Sequence, residues 1–144
     1  MGSVCARLAD FCIITEDNSR GEPVEHILAD IRAGLRLGNP ATPFAEIPDR
    51  RQAIYYALDH AQPGDIIAIL GKGHETTIER GGIKEPFVER EIVEEYWGAV
   101  NFSCLLPLGE KVAPQGRTRG ELAAASRKHA IMAGSPHSVS GRGR

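Results

Sequence analysis

Between residues 10 and 97 the apolar positions alternate between short strand-like runs and helical stripes. Asp10-Phe11-Cys12-Ile13-Ile14-Thr15 is apolar, partly β-branched and closed by polar residues, which predicts a strand. Residues 4–9 before it read as the end of a helix. Val24, Ile27, Leu28, Ile31 and Leu35 recur at helical spacing and predict an amphipathic helix over about residues 23–36. Pro23 suits its first turn, and Gly34 and Gly38 mark a fraying end. Phe44-Ala45-Glu46-Ile47 predicts a second strand, stopped by Pro48. Asp49 with Gln52 three residues on has the form of a capping box. It opens a helix over 50–60 with Ala53, Ile54, Ala57, Leu58 and Ala61 on one face. Pro63-Gly64 then turns the chain into Asp65-Ile66-Ile67-Ala68-Ile69-Leu70, the most apolar run, which predicts a buried strand. Residues 76–80 and 83–87 around Gly81-Gly82 predict a tight hairpin. A helix over 89–97 follows, with Ile92, Val93, Tyr96 and Trp97 apolar.

Strands alternating with helices predict an α/β domain. It is Rossmann-like: a mostly parallel sheet flanked by helices, with a C-terminal hairpin and helix. The pattern lacks an opening strand and helix, so residues 1–97 read as the back part of such a unit. Residues 98–144 are rich in Pro, Gly, Ser, Arg and Ala, and a short helix is expected around 121–132. The rest of that basic tail is expected to be disordered.

At 144 residues, 42% hydrophobic and 25% charged, the chain has the make-up of one soluble domain. The net charge of −2 hides an asymmetry: residues 1–97 carry −7 and residues 98–144 carry +5. An acidic body argues against nucleic acid as a partner. No run of 18 apolar residues is present, so no membrane span is expected, and the first residues lack the form of a signal peptide. Cys5, Cys12 and Cys104 have no CxxC spacing. That predicts free thiols in a reducing cytoplasm, a core position for Cys12, and no metal site.

The candidate chemistry lies in two loops, each just after a strand. Gly71-Lys72-Gly73-His74-Glu75 resembles a phosphate loop only superficially. An isoleucine heads the P-loop frame, Gly73 stands where Ser or Thr belongs, and Thr76 replaces the third glycine of GxGxxG. The plain reading is a glycine turn with solvated charges; the functional one gives Glu75 an ammonium group to bind. In Asp17-Asn18-Ser19-Arg20, Arg20 offers a planar fork for a carboxylate, and Asn18 both donates and accepts. The plain reading there is a capped loop with a solvated arginine. If both strands are parallel in one sheet, the loops emerge at one edge and together complement an amino acid. His74 is a possible base, although a lone His beside glycines is more often structural.

Several of these motifs, in order and at compatible spacing, resemble the C-terminal domain of the Mur ligase family. They are residues 15–23 (Thr-Glu-Asp-Asn-Ser-Arg-Gly-Glu-Pro), Ile47-Pro48-Asp49-Arg50, Pro63-Gly64-Asp65, the Gly71–Glu75 loop and Pro86-Phe87. The resemblance covers about residues 4–97 and is greatest to the branch that adds the third residue of the peptidoglycan stem peptide. It implies a cytoplasmic, ATP-dependent amide-forming ligase with separate UDP-sugar, ATPase and amino-acid domains. ATP and Mg²⁺, bound mainly outside this chain, activate the carboxylate of a UDP-MurNAc-dipeptide as an acyl phosphate, which the incoming amine attacks. The resemblance further implies that Asn18, Arg20, Gly71 and Glu75 hold the incoming amino acid, meso-diaminopimelate, with Asp17, Lys72, Gly73 and His74 as supporting loop residues. Ser19 stands where the family has Pro, which loosens the loop before Arg20. The missing ATPase and UDP-sugar domains lead us to expect a fragment that does not turn over alone. Two alternatives are a non-catalytic binding module of the same fold and the C-terminal domain of a related amide ligase, such as folylpolyglutamate synthetase.

Overall fold

The computed structural model describes residues 1–104 and 127–133. Its elements are α1 (Gly2–Leu8), β1 (Phe11–Thr15), α2 (Val24–Gly38), β2 (Phe44–Glu46), α3 (Arg50–His60), β3 (Ile66–Ile69), β4 (Thr77–Arg80), β5 (Ile83–Pro86), α4 (Glu89–Cys104) and β6 (Lys128–Ala133). The strands β2-β1-β6-β3 form one sheet, in that order and all parallel. β4 and β5 pair as a separate antiparallel hairpin. The expected α/β architecture is present.

Side-chain alternation along the central strands makes the layers. Cys12 and Ile14 of β1, with Ala130 of β6, face the α1–α2 side and pack against Ile27, Leu28, Ile31 and Leu35. Ile13 and Ile131 face the other side and pack against Ala53, Ile54 and Ala57 of α3 and Ile92 of α4. The hairpin joins that second core through Ile78, and Phe87 just beyond β5 is buried there too. Burial on both faces explains the unbroken apolar run of β1. It also pushes the Cys12 thiol up to about 11, with Cys5 adding to the effect.

The local signals act as read. The Asp49 carboxylate accepts from the Gln52 N–H at 2.8 Å and caps α3. Gly38 departs from expectation: it is the last residue of α2, not a point of fraying. A Cβ there would lie 2.3 Å from the Ser3 carbonyl oxygen, so the missing side chain lets α1 pack closely on α2.

Three expectations need correction. The run 65–70, expected to be a buried strand, forms β3 at the sheet's edge, with Ile66 58% exposed. The central positions belong to β1 and β6. The final helix runs seven residues beyond the expected end at Trp97, to Cys104. Most importantly, residues 128–133 of the supposed tail are neither helical nor disordered. They form β6, inserted between β1 and β3 and paired with five residues of one and four of the other. The rest of the tail lies outside the described residues.

Side chains just ahead of β1 and β3 hold the entry of β6. Asp10 accepts from the Lys128 N–H at 2.7 Å, and its own N–H donates to the Lys128 carbonyl. Asp65 accepts from the Arg127 N–H at 3.0 Å and lies 3.1 Å from the His129 imidazole. Backbone N–H groups of Gln62 and Arg127, then His129, hold the Asp65 carboxyl below its ordinary range, against the effect of its desolvation.

Candidate functional site

Because β1 and β3 both run parallel to β6, their carboxyl ends emerge at one edge of the sheet. One strand separates them, so their loops start roughly 10 Å apart and must lean together across the end of β6 to meet. They do meet. Asn18 Nδ2 donates to Glu75 Oε2 at 2.7 Å. Asn18 Oδ1 accepts from the Glu79 N–H at 3.0 Å, which ties the same side chain to the hairpin.

Lys72 lies beneath this contact. It is 2% exposed, and its ammonium approaches Asn18 Oδ1 at 3.2 Å, Asp17 Oδ1 at 3.4 Å and Glu75 Oε2 at 3.5 Å. The Phe87 ring lies 5.9 Å away. An ammonium has three protons to donate, and three acceptors from two loops surround it. The sequence reading gave Lys72 only a supporting place; its burial makes it the centre of the cluster. A lysine flanked by two glycines carries no sign of burial, because the groups that bury it come from a loop more than fifty residues away. Gly71 and Gly73 bend the backbone around it with φ of 118° and 58°, conformations that side chains disfavour.

Glu75 is exposed at the mouth of the cluster. The Asn18 hydrogen bond, and after it Lys72, holds its carboxyl below the ordinary value despite some desolvation. A depressed carboxyl contributes stability that is complete above its unfolded-state pKa and is lost as pH falls through the folded value. Asn18→Ala removes the largest cause of that depression and is therefore expected to move the Glu75 titration upward. Carboxyl ¹³C chemical shifts followed through an acid titration measure this directly.

Arg20 is exposed, and its φ of 52° is the one positive value among the described non-glycine residues. Its N–H donates to the Glu79 carbonyl at 3.3 Å, so the hairpin braces the strained residue. His74 is exposed on the glycine loop. The structure thus brings Asp17, Asn18, Lys72 and Glu75 into one cluster, with Arg20, Gly71, Gly73 and His74 in the same two loops.

A second polar network, which sequence reasoning missed, underlies these loops. Arg80 of β4 donates from Nε to both carboxylate oxygens of Glu16 at 3.0 Å and makes a shorter contact to Glu16 through Nη2. Arg50 is fully buried at the start of α3 and donates to the Glu16 carbonyl, the Leu70 carbonyl and the Glu89 carboxylate. The one available signal was an arginine at a helix N-terminus, where the helix dipole disfavours a cation.

The Mur ligase glutamate ligase domain, as a family model, matches residues 1–73. The chain belongs to the Mur ligase family. That match takes in the first loop and the glycine loop as far as Gly73. This Mur ligase domain is 50% identical over 95 residues to the UDP-N-acetylmuramoyl-L-alanyl-D-glutamate--2,6-diaminopimelate ligase of Caldanaerobacter subterraneus subsp. tengcongensis, covering 66% of this chain and 19% of that protein. It is 44% identical over 89 residues to the UDP-N-acetylmuramyl-tripeptide synthetase of Deinococcus radiodurans, covering 62% and 18%. It is 42% identical over 98 residues to the diaminopimelate ligase of Aquifex aeolicus, covering 68% and 20%. The chain spans about one fifth of the length of the curated relatives it matches.

No group of three or more His, Cys, Asp and Glu side chains is placed to hold a metal among the described residues. The glycine loop also departs from the P-loop frame. That loop therefore offers no P-loop cradle for nucleotide phosphates. No helix among the described residues is long and apolar enough to cross a membrane.

Proposed function

We propose that this domain holds the incoming amino acid, meso-diaminopimelate, for an ATP-dependent cytoplasmic ligase acting on UDP-N-acetylmuramoyl-L-alanyl-D-glutamate. ATP and Mg²⁺ act elsewhere in that assembly. The observation that carries the reading is the joining of the two loops through Asn18 and Glu75 at 2.7 Å. It puts an exposed acidic group on one loop and an arginine on its neighbour at one edge of the sheet.

Each end of the proposed ligand has a chemical complement. Glu75 accepts from a ligand ammonium. Asn18 contributes an amide able to serve either partner. Arg20 presents a guanidinium fork to a carboxylate. Gly71 lets a ligand come close to the backbone, and Asp17, Lys72, Gly73 and His74 support the two loops. Two carboxylates, Asp17 and Glu75, against the single Lys72 ammonium leave the cluster with a negative charge that favours a cationic group. The positive φ of Arg20 supports the reading, since backbone strain persists where the surrounding structure enforces it for a purpose.

Arg20→Gly tests the proposal cleanly, because glycine accepts the left-handed backbone that alanine would strain. The variant is expected to fold as the parent does and to bind meso-diaminopimelate about 10- to 100-fold more weakly, the worth of about 1.5–3 kcal/mol for hydrogen bonds to a charged group. Calorimetry with meso-diaminopimelate and with lysine measures it. Equal affinity for the two amino acids, or no effect of Arg20→Gly, would count against the assignment.

A further inference from the structure

We propose that Arg50 is a positioning residue that sets the separation of the two amino-acid loops. It fixes the last backbone carbonyl before each of them. This inference rests on the reading of the two loops as an amino-acid site. It concerns a residue that touches no ligand in that reading.

The geometry is specific. Glu16 immediately precedes the Asp17–Arg20 loop, and Leu70 immediately precedes the Gly71–Glu75 loop. Arg50 Nη1 donates to the Glu16 carbonyl at 3.3 Å, and Nη2 donates to the Leu70 carbonyl at 3.0 Å. Glu89 Oε1 accepts from Nε at 2.7 Å and from Nη2 at 2.5 Å. One rigid, planar guanidinium therefore joins the ends of strands β1 and β3, which do not pair with each other, to the first turn of α4.

Stability alone does not account for an arginine here. Its charge sits at the first position of α3, against the helix dipole. Burying an ion pair is seldom better than filling the same volume with apolar side chains. The guanidinium does supply donors aimed in fixed directions at two carbonyls on separate strands. Lysine cannot reproduce that, because its ammonium is one compact centre. Lys72 and Asn18 join the loops near their tips, and Arg50 joins them at their roots. The distance between Glu75 and Arg20 then follows from rigid connections at both levels.

The experiment compares Arg50→Lys with the parent in the full 144-residue chain, with Ile54→Val as a second variant. Ile54 is a fully buried neighbour on α3 that belongs to neither loop. Amide hydrogen exchange is read without ligand at Arg20 and Glu79, whose N–H groups tie the first loop to the hairpin, and at Glu75, whose N–H closes the glycine loop onto the Lys72 carbonyl. Arg50→Lys is expected to accelerate exchange at these three amides tenfold or more while the Ile31 and Leu35 amides of α2 stay within twofold. Ile54→Val is expected to leave the three loop amides in step with α2. Uniform acceleration across the domain, or unchanged loop amides, would overturn the positioning role.

Calorimetry with meso-diaminopimelate then separates the two ideas. If the parent binds, Arg50→Lys should weaken binding at least tenfold and Ile54→Val less than twofold. Equal losses in the two variants overturn the inference. If the parent does not bind, the amino-acid assignment fails, and the exchange data still decide what Arg50 does to the loops.

Discussion

A chain ending at residue 126 is expected to lose its cooperative thermal unfolding transition. In the intact protein β6 separates β1 from β3, which make no ladder with each other. Removing it leaves both strands with unpaired backbone groups along a buried edge, and each such group costs about 1–3 kcal/mol. It also removes Ile131, fully buried between α3 and α4, and Ala130 from the opposite core. Asp65 and Asp10 lose the N–H groups of Arg127 and Lys128. These losses together exceed the roughly 5–15 kcal/mol by which a domain is ordinarily stable. Circular dichroism against temperature measures the outcome. The milder Ile131→Ala should keep the fold and lower stability by about 2–5 kcal/mol, the usual result of emptying a large aliphatic site. A truncated chain that melts as sharply as the parent would show that β6 is dispensable.

Lys72→Met is expected to have the second-largest effect. The methionine fills a similar volume but leaves Asp17, 5% exposed, without the ammonium beside it. Breaking a buried ion pair from one side costs about 3–5 kcal/mol, because the remaining charge stays desolvated. The loss should appear as a lower urea midpoint with an unchanged slope. Asp17→Asn added to Lys72→Met should recover part of it, and the double-mutant cycle then isolates the pair's coupling. Glu75 contributes less to this balance because it is exposed. Equal stability of Lys72→Met and the parent would mean that the cluster is solvated enough to need no cation.

Much of the fold was legible because its signals are local. The Asp49 cap, the α2 stripe, the Gly81-Gly82 turn and the two-sided burial of β1 each depend on residues close together in the chain. The meeting of the two loops also followed, since parallel strands of one sheet send their carboxyl ends to one edge. Lys128-His129-Ala130-Ile131-Met132-Ala133 was illegible for the opposite reason. It is a short, mixed segment that runs on from an alanine-rich stretch, with Gly134-Ser135-Pro136 as turn residues on its far side alone. It becomes a strand only because β1 and β3 offer it hydrogen bonds on both sides and two apolar faces. The Asp65–Leu70 run misled in the other direction. Its unbroken hydrophobicity signals burial, but nothing within it says which neighbour it takes or whether it has one on each side.

Between residues 10 and 97 the sequence by itself determined which segments become helix, strand and turn, and which two loops carry the charged groups. Capping, periodicity and backbone freedom act over a few residues and need no partner. Only the tertiary structure decided that residues 128–133 take the central position of the sheet, that Lys72 is buried among acceptors from two loops, and that Arg50 joins the roots of those loops. Those outcomes depend on the desolvation of charges and on ladder pairing between segments dozens of residues apart. Their energies exist only once the distant partners are in place.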